Sequence, residues 1–154
     1  MMERSRPQTD PSYGISEEQE GMLEWDWVVA QLPDARNYWL ATVRPDGRPH
    51  VVPVWGVWLE GSMYFGMGAE TIKARNLRKN PNVVLHLDSS EDVVILEGMA
   101  EEVSNEGLQE RIDDAYEAKY DIRHGTPVFT LQLKKAFAWQ SESFATSPTR
   151  WTFE

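Results

Sequence analysis

Between Tyr38 and Leu59 the chain reads YWLATV, then RPDGR, then HVVPVWGVWL. β-Branched and aromatic side chains suit a pleated, half-buried surface, and a Pro-Asp-Gly centre reverses the chain within a few residues. Those two runs predict a β-hairpin, which commits the fold to antiparallel sheet. Pro53 brings no N–H to a ladder, so the second strand belongs at an edge or a bulge and leaves backbone groups for other partners.

Strand signals continue downstream. EGS (60–62) turns the chain into MYFG, NVVLHLD (82–88) and VVILEGMAEEV (93–103) form a second hairpin, Phe129, Leu131 and Leu133 alternate in a strand continuing through AFAWQ, and RWTFE closes the chain. Three helices interrupt them. Ser16 opens SEEQ, a capping-box pattern with Gln19, and Leu23, Trp27 and Ala30 follow at helical spacing up to Pro33. A short basic helix is expected from Glu70 or Thr71 to Asn80. Leu108, Ile112, Ala115, Tyr116 and Lys119 stripe a third helix over 106–120, with acids opposite. Residues 1–15, polar and proline-rich, read as a flexible arm, and 16–154 as one domain. Strands in meander order with few helices predict a small antiparallel barrel, α+β and mainly β.

Composition removes several function classes. With 25 acidic and 15 basic residues, net charge -10, the chain has no general attraction to nucleic acid or anionic lipid. No apolar run approaches membrane-spanning length and the N-terminal segment has no apolar signal core, so a cytoplasmic protein is expected. Without cysteine, disulfides and thiolate chemistry are excluded. His50, His86 and His124 are too scattered for a metal site. Ser141, Ser143 and Ser147 have no nucleophile-elbow setting, and Asp113 and Asp114 read as solubilising charges on an exposed face. Seven tryptophans exceed ordinary core needs, which suggests that some line a pocket or a subunit contact. Either a bound cofactor performs the chemistry or the chain is a binding module.

Any anion site in so acidic a chain must be local, and Lys73, Arg75, Arg78 and Lys79 make one place for it. Lys73 falls in the first helical turn, where the helix dipole disfavours a cation by roughly 0.3–1 kcal/mol unless an anion is shared between the ammonium and the backbone amides. GMGAET lets the chain approach a phosphate, and Thr71 adds a hydroxyl. The competing reading pairs Lys73 with Glu70 and leaves the other cations as a solvated face. GMGAETIK is not a P-loop.

The ordered run of the leucine-alanine-threonine strand, the PDG turn, the PVW strand and KARNLRKNP, followed by VVILEG and a terminal RWTF, resembles the pyridoxamine 5'-phosphate oxidase-like flavin-binding split-barrel family. The resemblance covers Tyr38 to about Glu102, and more weakly Pro127 to Phe153. It implies a six-stranded split β-barrel and a homodimer with flavin-type cofactors, FMN or the deazaflavin coenzyme F-420, in the grooves between subunits. By the same resemblance, His50, Val51, Val52, Pro53, Val54 and Trp55 run beneath the ring system. Phe65, Gly66 and Met67 form the next contacting strand, and Thr71, Ile72 and Lys73 match the phosphate-binding triplet. Trp139 and Arg150 match residues that reach the cofactor across the interface, while Val93 replaces a polar partner contact. His50, Trp55 and Ile72 stand where the oxidase has basic residues, which argues against vitamin B6 as substrate. IKARNLRKNP is closer to the deazaflavin branch, whose longer tail could engage Lys73, Arg75 and Arg78. The implied activity is hydride transfer with a small, planar substrate, stacked beside Trp55 or Trp58. The alternatives are a non-catalytic flavin carrier or sensor, a haem-binding barrel ligated by His86 or His124, and a dimerising barrel with an empty groove.

Overall fold

A computed structural model describes residues 1–154. It contains nine strands and three α-helices: β1 (Met2–Ser5), α1 (Trp25–Gln31), β2 (Tyr38–Val43), β3 (Pro49–Val54), β4 (Val57–Leu59), β5 (Ser62–Gly66), α2 (Ile72–Lys79), β6 (Asn82–Leu87), β7 (Asp92–Glu102), α3 (Glu106–Tyr120), β8 (Val128–Gln140) and β9 (Thr149–Phe153). The strands form one antiparallel sheet in the order β1-β9-β8-β7-β6-β2-β3, while β5 pairs with both β4 and β8. Strand β8 makes the curl, pairing at its start with β5 and at its end with β9, with β7 on its other side along most of its length. β3 remains a free edge, so the barrel is split, not closed. The placement of Pro53 on an edge strand agrees with its missing N–H.

The inward faces build the main core from Tyr38, Leu40, Phe65, Leu85, Leu96 and Trp151, each 0% exposed. Burial of each such side chain stabilises by roughly 1.5–3 kcal/mol. A second cluster forms where α3 covers the outside of β4 and β5: Val57, Tyr64, Ile112, Tyr116, Tyr120 and Val128. No helix is long and apolar enough to cross a membrane.

Three expectations need correction. The strand expected through HVVPVWGVWL is broken at Trp55–Gly56 into β3 and β4. The SEEQ segment is not helical, and α1 starts only at Trp25. Ser16 Oγ accepts from the Glu18 amide in a local turn, the Ser16 amide donates to Ala145 O, and Gly21 at φ +90° turns the chain away. The first residues are not an unattached arm, since β1 pairs with β9 and the Arg6 guanidinium donates to the carbonyls of Glu18, Glu20, Thr146 and Pro148. These partners lie far along the sequence, and nothing local signals them.

Candidate functional site

The β2–β3 turn closes on local chemistry. Asp46 accepts from the amide and the guanidinium of Arg48, and Gly47 takes φ +88°, open to glycine at no steric cost. Across from it lies α2, capped by Thr71, whose hydroxyl accepts from the Ala74 amide and donates to Gly68 O. Asn76 ties the helix to the sheet through a buried bond to Thr42 Oγ1, 3.0 Å. Lys73 is therefore the second residue of α2, at the positive end of the helix.

Lys73 has no carboxylate within 4.0 Å; Glu70 lies instead 3.8 Å from Arg75. His50, on β3, lies within reach of its charge. Burial, then Arg44 and Lys73, hold the His50 imidazole below its usual pKa, and its buried Nδ1 has no partner. A neutral imidazole still offers one N–H donor. Between the β2–β3 turn and α2 a cleft of about 370 Å³ is lined by Arg44, Arg48, Ile72, Arg75 and Asn76, with Asp46 its one acid. Arg78 is not part of it; its guanidinium turns back to Ala69 O at 3.0 Å and towards Glu102 at 3.7 Å. Three arginines, an unpaired lysine and an unsatisfied imidazole in a chain of net charge -10 fit an anionic ligand.

From His50 the edge strand carries Val51, Val52, Pro53 and Val54 towards Trp55. Val51 (53% exposed) and Pro53 face outward, while Val54 is buried. Phe65 and Met67 point into the main core, so only the backbone there and Gly66 are available on the outer side. The Gly66 Cα is covered by His124, which leaves no room for a Cβ. Trp55 is not an open platform: its ring lies parallel to Tyr120 at 4.4 Å, with the Arg36 guanidinium 5.4 Å from its centroid. Trp58 packs against the main core. Trp58 is thus a core contact, and in this chain the Trp55 ring face is taken up by Tyr120.

Trp139 and Arg150 lie elsewhere. Trp139 sits opposite Val93, and Arg150 Nε donates to Ser5 Oγ at 3.1 Å. Along the sheet, four strand spacings lie between Trp139 on β8 and β3, a path of roughly 19 Å, and five between Arg150 on β9 and β3. One chain does not bring them to the His50–Lys73 group. Across the intervening outer face the pairing aligns Pro53, Trp39, His86, Ile95 and Phe137 in one row over five strands, with Arg150 of β9 next in line. His86 stacks on Trp39 in that row, its Nδ1 bonded to Leu87 O.

Asp113, assigned a solubilising role on sequence, holds the 121–127 loop through the Gly125 amide at 2.9 Å. The residues that sequence reasoning missed are Arg44, Arg48, Tyr116 and Tyr120. The first pair was readable as cations flanking the turn, whereas Tyr116 was visible only as a member of a helical stripe and Tyr120 only as the end of that helix.

The family model for pyridoxamine 5'-phosphate oxidase matches residues 25–141. No curated protein sequence matches the chain. Among solved structures, a provisionally named pyridoxamine 5'-phosphate oxidase from Listeria innocua superposes with TM-score 0.63 at 22% identity, covering 73% of this chain and 95% of that one. An F420 reductase gives 0.56 at 22% identity, covering 70% and 93%. A heme binding protein from Mycobacterium smegmatis gives 0.54 at 19% identity, covering 74% and 57%. These likenesses establish the split-barrel fold, and the family model spans both candidate strands and α2. The chain belongs to the pyridoxamine 5'-phosphate oxidase family.

Proposed function

We propose that the protein binds a flavin-type cofactor, FMN or the deazaflavin coenzyme F-420, and uses it to exchange a hydride with a small molecule. The observation that carries this reading is Lys73, left without an acid at the start of α2, together with the buried, unsatisfied Nδ1 of His50, on which the Lys73 charge acts. Hydride chemistry belongs to the cofactor; the chain supplies grip, orientation and exclusion of water. Lys73, the Thr71 segment and His50 would hold the phosphate, and the edge backbone at Val52–Val54 would lie along the ring. The Arg44–Arg48–Arg75 cleft next to them favours a tail with more than one anionic group, which is the deazaflavin's, over a single phosphate. Ile72 and Trp55 are not themselves basic residues, which disfavours vitamin B6 chemistry.

The aligned row on the outer sheet face supports a homodimer. A second copy laid on it would cover Trp39, Ile95 and Phe137 and would carry its own Trp139 and Arg150 towards the first chain's groove. A non-catalytic carrier would use the same site and differs only in turnover.

Titration of the purified protein with FMN and, separately, with F-420, followed by visible absorption, tests the reading. Saturable binding of at least one is expected, weakened at least tenfold in Lys73→Ala with the fold retained. Binding of neither, or equal affinity in Lys73→Ala, overturns it.

A further inference from the structure

We infer that Tyr116 of α3 is a positioning residue that wedges open the two strand segments flanking the cofactor groove and sets the distance between them. The inference rests on the cofactor site proposed above. The β4–β5 ladder pairs Val57 with Tyr64, Trp58 with Met63 and Leu59 with Ser62. Continued in the same register towards the groove, the ladder would set Trp55 against Gly66. That pair does not form. The Tyr116 hydroxyl occupies the gap, donating to Trp55 O at 3.0 Å and accepting from the Gly66 amide at 2.8 Å. Two hydrogen bonds in series stand where a ladder has one of about 2.9 Å, so the strands are held apart without an unsatisfied backbone group.

Neighbouring side chains of α3 fix the corner from which the segments diverge. Both backbone groups of Gly56 are met from α3: its amide donates to the Tyr120 hydroxyl at 3.0 Å, and its carbonyl accepts from Lys119 Nζ at 2.9 Å. Gly56 is tightly enclosed, since a Cβ would stand 3.1 Å from Tyr64 O and 3.2 Å from Tyr38 Cδ2. Tyr116, Lys119 and Tyr120 recur at i, i+3 and i+4 and so share one helix face. The His124 ring backs the wedge from the other side, against Gly66 and 5.3 Å from the Tyr116 ring. The wedge thus ties the backbone at Trp55 to the backbone at Gly66, the two segments assigned to the ring.

Tyr116→Phe keeps the ring in its packing but removes the bridge. The expected result is at least a tenfold rise in Kd for whichever of FMN or F-420 binds the wild type, with far-UV circular dichroism and cooperative unfolding preserved, and a changed Gly66 amide chemical shift. Affinity within twofold of wild type in a folded Tyr116→Phe protein overturns the inference and leaves the cofactor site standing. If the variant does not fold, the wild-type Gly66 amide decides: a resonance unmoved at saturating cofactor overturns the wedge, and a cofactor-dependent shift supports it. If wild type binds neither cofactor, the site and the wedge fall together.

Discussion

Lys119 gives the protein a pH dependence of unusual sign. Its ammonium donates to Tyr38 Oη and Gly56 O, both at 2.9 Å, and sits over the Tyr38 and Tyr120 rings. Burial lowers its pKa from 10.5 to about 8; Asp34 opposes the shift and Arg36 adds to it. At neutral pH both folded and unfolded chains carry the proton, and the folded state bears the cost of burying it. From about pH 8 the native amine releases its proton, while the unfolded chain keeps its own to about 10.5, so the unfolded state binds more protons and stability rises across that window. A shift from 10.5 to about 8 sets a ceiling of about 3.4 kcal/mol at 1.36 kcal/mol per unit. Screening of a half-buried ammonium reduces this to on the order of 1–2 kcal/mol. Tyr38 and Tyr116 act oppositely at higher pH: burial raises their pKa values, so they stay protonated while unfolded tyrosines ionise near 10, and stability falls above that point. Urea unfolding at closely spaced pH values should therefore show stability climbing between about pH 8 and 10 and then declining. Lys119→Met should abolish the climb and keep the decline. A flat wild-type profile, or the same climb in Lys119→Met, refutes the argument.

Two further predictions concern the sheet. At Gly98, where the β7–β8 register shifts, a Cβ would stand 2.0 Å from Gln132 O, which is backbone and cannot rotate away; Gly98→Ala should cost about 3 kcal/mol or more, read as a lowered urea midpoint, and an unchanged midpoint would contradict the close approach. Phe137→Asp places a charge at the β8 end of the outer row, and analytical ultracentrifugation should find it monomeric with an intact circular dichroism spectrum while the wild type sediments as the proposed dimer; a monomeric wild type at tens of micromolar would remove the dimer proposal.

What could be read in advance was local. The PDG turn depends on an aspartate accepting from the amide two residues on, and the start of α2 on a threonine cap, so both are encoded within a few positions. α3 was legible from its stripe, and the β-rich runs from their composition. SEEQ misled because a capping box specifies a helix only if its carbonyls remain free for the helix, and here Arg6 takes the carbonyls of Glu18 and Glu20. The candidate site was half legible: the displaced charge of Lys73 could be seen, while its freedom from Glu70 and its proximity to His50 could not.

By itself the sequence determined an antiparallel sheet with an edge strand at Pro53, a basic helix in an acidic chain, and the family to which these belong. Only the tertiary structure decided where the barrel splits. That choice is made at Trp55–Gly56 by tyrosine hydroxyls some sixty residues away, because a backbone donor or acceptor pulled from a ladder must find another partner, and no local pattern says which distant side chain will supply it.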